Sequence, residues 1–297
     1  MRIVEILQQR RPCISFEFFP PKTEAGVASL METVRSLRVL DPGFVSVTYG
    51  AGGSSRARTL EVVKRIKNEL DIEPMAHLSC VGSTRDELRA IVRDLEEARV
   101  ENIMALRGDP PQGDERFSVA DGGFRYATDL IALLSDEFAF CIGAGAYPEK
   151  HPEAEDHDAD VRVAAAKVAA GAEFLVTQFF FDNDDYFAYV ERARDAGVTV
   201  PIVPGIMPIA NYASVERMLG MNGGRMPERL RDELEARREE PDAVAELGMA
   251  FMALQCRNLL ERGAPGLHFY TLNKSTATRA VVSALHVTGA LRVNALR

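Results

Sequence analysis

The chain has 297 residues, 46% hydrophobic and 27% charged, which is the balance of a folded globular protein rather than a disordered one. A formal net charge of −9 argues against general affinity for nucleic acid, which rests on neutralising phosphates. Four cysteines (Cys13, Cys80, Cys141, Cys256) stand far apart with no CxxC pair, so neither a zinc ribbon nor a disulfide framework is suggested; reduced thiols in the cytoplasm are expected.

Ile3, Val4, Ile6 and Leu7 sit at helical spacing, followed by Arg10 and Arg11; this predicts a short opening helix, not a secretory signal. CISFEFFPP (13–21) reads as a strand closed by two prolines, and 24–40 as a helix. FVSVTYG (44–50) is a β-branched and aromatic strand ending in the turn GAGGSS, with a helix over 58–70 and the strand PMAHLSC (74–80) after it. Ser83 or Thr84, with Glu87, caps a helix reaching Ala98. IMALRGDPP (103–111) is an apolar run too short for a helix and stopped by breakers, hence a buried strand.

A glycine-containing loop (110–123), a helix over 126–136 and the strand FAFCIGAGAYP (138–148) come next. The acidic run HPEAEDHDAD leads into a helix over 161–170 stopped by Gly171. FLVTQFFF (174–181) is a strand, followed by a helix ending at Gly197 and the strand VPIVPGIMP (200–208). Residues 211–240 read as two helices, the second (227–240) heavily charged with a solvated face. A long amphipathic helix from Pro241 to about Arg262, the strand GLHFYTLN (266–273) and a helix over 275–285 complete the chain. No apolar run approaches membrane-spanning length.

Eight strands, each followed by helix, predict an α/β fold: one closed (β/α)8 TIM barrel over 1–297, with an N-terminal helix and an extra helix before the last strand. The Rossmann GxGxxG and the Walker GxxxxGK are both missing. Chemistry in such a barrel gathers where strands leave the sheet at their carboxyl ends. Those ends carry Glu17, Thr48, Tyr49, His77, Arg107, Asp109, Tyr147, His151, Gln178, Tyr270, Asn273 and Lys274.

Glu17 lies between Phe16 and Phe18; aromatic walls would raise its pKa and suit it to give a proton, while a carboxylate paired with an arginine on the next strand is the alternative. Asp109 is a functional carboxylate or a salt-bridge or capping residue, and His77 a ligand or a hydrogen-bonded structural histidine. No metal is expected, because the acidic residues at 153–160 suit a helix start and the histidines lack ligand spacing. Asp160 and Lys167 share a helix face and either grip a ribose and a phosphate or, for Lys167, complement the helix C-terminus.

Taken together, SFEFFPPK (15–22), FVSVTYGAGG (44–53), AHLSC (76–80), ALRGDPP (105–111), GAYPEKHPE (145–153), TQFFFD (177–182), PGIMP (204–208) and HFYTLNKS (268–275) resemble the methylenetetrahydrofolate reductase family in its bacterial form. The resemblance runs through essentially the whole chain, one motif per strand, and leaves nothing for the regulatory domain of the eukaryotic enzymes.

It implies an FAD-containing barrel in which NADH or NADPH reduces flavin and leaves, and methylenetetrahydrofolate then takes the hydride to give methyltetrahydrofolate for methionine synthesis. By the resemblance Glu17 is the general acid for opening the folate ring. Asp109 stands beside the flavin pyrimidine edge and also meets the pterin. Gln178 contacts both substrates, and Thr48 is a further substrate contact. Thr48, Tyr49, His77, Arg107, Gly108, Tyr126, Ala127, Tyr147, His151, Ala154, Asp160 and Lys167 fall on FAD-contact positions. Lys274 replaces an arginine that holds folate in some relatives, keeping the charge without the bidentate fork. Met218 replaces a substrate-packing aromatic. Noncovalent FAD, a homo-oligomer, and no nucleic-acid or membrane partner are expected.

Overall fold

The computed structural model describes residues 1–49, 56–108 and 119–291; Asp109, the GAGGSS turn beyond Tyr49, and Pro110 and Pro111 lie outside the described residues. Eight parallel strands pair in chain order and β8 closes on β1: β1 (Cys13–Phe18), β2 (Phe44–Val47), β3 (Pro74–Ser79), β4 (Asn102–Leu106), β5 (Cys141–Ala146), β6 (Phe174–Phe179), β7 (Ile202–Ile206) and β8 (Gly266–Tyr270). Helix α1 (Ile3–Gln9) precedes the barrel. Helices α2 (Glu24–Arg38), α3 (Arg56–Leu70), α4 (Arg85–Glu97), α5 (Ala127–Glu137), α6 (His157–Ala169) and α7 (Asn183–Asp195) each follow a strand. Between β7 and β8 lie α8 (Tyr212–Asn222), α9 (Glu228–Glu235) and α10 (Pro241–Glu261), and α11 (Thr276–Val287) follows β8. The (β/α)8 barrel expected from the strand count is the fold.

Some boundaries move, for local reasons. The strand expected over 138–148 begins only at Cys141: Phe138 ends α5 and packs on Phe140, ring centres 6.3 Å apart. Helix α6 starts earlier than the apolar pattern indicates, because Asp156 accepts a hydrogen bond from Ala159 N at 2.6 Å and caps it. The charged helix expected over 227–240 stops at Glu235. The capping box at α4 forms as read, with Thr84 Oγ1 accepting from Glu87 N at 3.2 Å and Glu87 Oε2 accepting from Thr84 N at 2.8 Å.

Two-residue alternation divides every strand between two cores. Outward residues such as Phe16, Val45, Leu78, Ile103 and Phe269 pack under the helices in one continuous cluster. Each such side chain contributes about 1.5–3 kcal/mol when fully buried. Inward residues at the strand starts, among them Cys13, Phe44, Met75, Cys141 and Phe174, meet Ile3, Ile6 and Leu7 of α1, which closes the N-terminal end. A β-carbon on inward-facing Gly143 would lie 2.5 Å from Phe174 Cζ, so a glycine there lets the ring fill the interior. The bottom of the barrel is thereby solid and the carboxyl ends open. Among the described residues no helix is long and apolar enough to cross a membrane.

Candidate active site

A cavity of about 580 Å³ occupies the carboxyl-end mouth. Of the residues singled out from sequence, it is lined by Glu17, Thr48, Tyr49, His77, Arg107, Gly108, Tyr147, His151, Gln178, Met218 and Tyr270. Eight strands deliver inward side chains to one place, and this is why residues as distant in sequence as Glu17 and Tyr270 converge.

Glu17 is 7% exposed, and its backbone is pinned: Thr271 Oγ1 donates to Glu17 O at 2.6 Å. Beyond β8 the chain turns through left-handed Leu272 and Asn273, and the Asn273 carboxamide clamps both the N–H and the C=O of Phe19, at 2.8 and 2.9 Å. Three groups converge on Glu17 Oε2. Ser46 Oγ donates at 3.1 Å, His268 Nε2 lies at 3.3 Å, and His77 Nε2 lies at 3.2 Å. The His77 contact is an ion-pair distance without hydrogen-bond alignment, so this buried nitrogen has no hydrogen-bond partner.

The expectation of a raised Glu17 pKa is overturned. Burial does push the carboxyl up, but His77 and His268 outweigh it and hold it below its ordinary value. Phe16 and Phe18 do not wall it; by alternation they point to the outer core, and Phe19 is half exposed. Nor is the partner an arginine on the neighbouring strand: β2 offers Ser46, and the imidazoles come from β3 and β8.

On the opposite wall Arg107 makes a two-pronged ion pair with Glu153, at 2.5 and 2.8 Å. Gly108 has φ +87°, and a β-carbon there would stand 2.5 Å from Val81 Cγ1, so the turn off β4 requires glycine. The Tyr147 and His151 rings meet edge to face at 4.6 Å. Lys167 rises from α6 behind them, donating from Nζ to Gly145 O at 2.8 Å and lying 5.8 Å from the centre of the Tyr147 ring. Burial pulls its ammonium down to about 8, with Asp160 opposing. Asp160 is 6% exposed; burial raises its carboxyl and Lys167 counters. These two therefore stand together behind the wall, as their spacing implies.

Gln178 Oε1 accepts from Phe179 N at 3.0 Å, which leaves the amide NH2 to donate. Tyr126, Ala127, Ala154 and Lys274 do not line the cavity. Tyr126 and Ala127 form the start of α5, Ala154 O accepts from Lys150 Nζ at 2.5 Å, and Lys274 is exposed beyond the Asn273 clamp.

The reading of strand ends missed His268, Ser46 and Ser15, which lie one layer deeper. Register contained the signal: Glu17 pairs with Ser46 on one side and Tyr270 on the other, so 15, 46 and 268 face inward with it.

Comparison with known proteins agrees with this geometry. The family model described as methylenetetrahydrofolate reductase matches residues 2–286. The 5,10-methylenetetrahydrofolate reductase of Salmonella typhimurium is 39% identical over 275 residues, covering 92% of this chain and 90% of that protein. The Arabidopsis thaliana protein named methylenetetrahydrofolate reductase (NADH) 1 is 37% identical over 283 residues, 92% of this chain but 48% of its own length, so the chain spans about half of such plant relatives. A Clostridium thermocellum protein that binds two copies of 5-methyl-5,6,7,8-tetrahydrofolic acid superposes with a TM-score of 0.63 over 94% of this chain and 95% of that one; at 17% identity it attests the barrel alone. By its family match over nearly its whole length, the chain belongs to the methylenetetrahydrofolate reductase family.

Proposed function

We propose that this chain reduces 5,10-methylenetetrahydrofolate to 5-methyltetrahydrofolate with a hydride from NADH or NADPH, the two substrates using one cavity in turn around bound FAD. The observation that carries this reading is a buried carboxylate, Glu17, at the floor of a mouth cavity, in a chain aligned along 90% of a bacterial relative that bears the reductase name. The product would feed methyl groups into methionine synthesis in the cytoplasm.

The residues present fit FAD. The cavity is in the size range of cofactor sites. Its wall offers backbone at Gly145, where an added β-carbon would meet nothing nearer than 3.7 Å. His77 Nε2 is buried without a hydrogen-bond partner, and Lys167 beside Asp160 and Arg107 paired with Glu153 stand on the wall where a ribose and a phosphate would be gripped. Thr48, Tyr49, Tyr147 and His151 would flank the group, with Asp160, and with Tyr126, Ala127, Ala154 and Gly108 toward its outer reaches. Bound FAD supplies two-electron hydride-carrier chemistry.

The chain's own residues do the rest. Glu17 gives a proton to the ring nitrogen whose bond to the methylene carbon breaks, with the electron pair staying on that nitrogen. Gln178 donates from its NH2 to whichever substrate is present. Asp109, by the family resemblance, attracts the cationic form of the opened folate. Met218 and Met221 of α8 and Met207 at the end of β7 line the cavity with adaptable apolar surface, suited to two different planar substrates. Lys274 is assigned a supporting charge for the folate tail.

The test is Glu17→Gln, followed through each half-reaction without oxygen. Flavin reduction by NADH persists, and reoxidation by methylenetetrahydrofolate slows by about two to four orders of magnitude. Equal loss of both steps removes Glu17 from the role of acid.

A further inference from the structure

Below the cavity floor the barrel holds polar side chains that the reaction as described does not use. Ser15, Ser46 and His268 are at most 1% exposed. A buried imidazole is costly unless both nitrogens are satisfied. The His268 ring is stacked on Phe44 at 5.9 Å and 19°, and meets Tyr270 edge-on at 5.5 Å, so it is held in one orientation. Its Nδ1 lies 2.8 Å from Ser15 Oγ, and Ser15 Oγ in turn donates to Leu267 O at 3.4 Å. In the arrangement where the serine hydrogen goes to that carbonyl, its lone pairs face the ring and Nδ1 carries the hydrogen of the 2.8 Å bond. On the other side Nε2 stands 3.3 Å from Glu17 Oε2. Two lone pairs do not face each other at that distance, so a proton lies between these two atoms, on the nitrogen or on the oxygen.

We propose that His268, its tautomer set by Ser15, is the positioning residue for the proton that Glu17 delivers, the two side chains holding one proton between Nε2 and Oε2 before folate arrives. The inference rests on reading Glu17 as the acid. In the transfer one proton leaves the pair for the folate nitrogen as the bond from that nitrogen to the methylene carbon breaks. One proton from water, entering past His77 on the cavity wall, restores the pair. His268 itself is sealed from solvent and exchanges through Glu17.

Among the described residues, the titratable groups facing Glu17 are His77 from β3 and His268 and Tyr270 from β8; β2 presents only Ser46. With His268 replaced by a neutral side chain, the burial that favours a protonated Glu17 is opposed by His77 and by the hydrogen bond from Ser46.

The experiment is pH-difference infrared spectroscopy of the carboxyl stretch, taking wild type against Glu17→Gln to isolate this group, then repeated in Ser15→Ala and His268→Gln. Glu17 takes up its proton at a higher pH in His268→Gln, by roughly one to three pH units. Ser15→Ala moves it the same way by less, because Nδ1 loses its acceptor while the ring stays; it also carries the test if His268→Gln does not fold. The pH profile of folate reduction moves with the infrared midpoint, and that of flavin reduction by NADH does not. Unmoved infrared midpoints overturn the proposal, as does a uniform loss of both half-reactions with no change of profile. If wild type reduces no folate yet the midpoints move, the pairing stands and the reductase reading fails.

Discussion

Replacing Lys167 by methionine separates the cost of holding a cation behind the cavity wall from its use. The ammonium is pulled from 10.5 to about 8, first by burial and then by Arg107, with Asp160 only partly offsetting. Because the folded pKa lies below the unfolded one, the unfolded chain binds more protons between pH 8 and 10.5, and this residue's contribution to stability rises with pH across that window. Below about pH 8 it costs the fold up to about 3 kcal/mol. Methionine keeps length and apolar packing but gives up the hydrogen bond to Gly145 O, about 1 kcal/mol. The FAD-free variant is therefore more stable than wild type at pH 7 by roughly 2 kcal/mol, and the advantage disappears as pH approaches 10.5. Burial pushes the thiols and the tyrosines Tyr186, Tyr189 and Tyr270 up, so their ionisation on unfolding adds its own alkaline pH dependence, but to both proteins, and it cancels in the difference. Urea unfolding of both FAD-free proteins at pH 7, 8.5 and 10 measures it. Added FAD then stabilises wild type more than the variant. A variant less stable at pH 7, or a difference that does not change with pH, refutes the reasoning.

Two further expectations follow from the turn off β4. Gly108→Ala forces φ +87° on a residue with a β-carbon 2.5 Å from Val81 Cγ1, and costs about 1–3 kcal/mol in urea unfolding together with weaker FAD retention; an alanine variant as stable as wild type contradicts the strain. Asp109→Asn, by the place the family resemblance gives Asp109 beside the flavin pyrimidine, removes a negative charge that disfavours the anionic reduced flavin. The flavin potential rises and hydride delivery to folate slows, and a redox titration with stopped-flow kinetics that finds neither removes Asp109 from that role.

The barrel was legible because each strand is a short apolar run ended by glycine, proline or a polar pair, and several helices carry their own side-chain caps, as Thr84 and Glu87 show. Where the chain leaves a strand, as at Glu17, His77 and Gln178, side chains that share the mouth could be named before their contacts were known. What could not be read was which residues face one another across the barrel. Glu17 appears walled by phenylalanines only if neighbours in sequence are taken for neighbours in space; strand alternation sends those rings to the outer core and leaves the carboxylate with imidazoles 60 and 251 positions away. The same holds for Lys167, whose reach to Gly145 depends on how α6 lies against β5. Helix starts set by a single side-chain cap, such as Asp156 before α6, also escape a pattern based on apolar spacing.

The central claim is that this cavity holds a flavin that a nicotinamide reduces and methylenetetrahydrofolate reoxidises, and the visible spectrum of the purified protein tests it most directly. The account predicts a yellow protein whose flavin dissociates on denaturation, whose absorbance bleaches on anaerobic addition of NADH or NADPH, and whose colour returns when methylenetetrahydrofolate is added. A colourless protein that takes up no added FAD, or a bleached one whose colour methylenetetrahydrofolate does not restore, would contradict it.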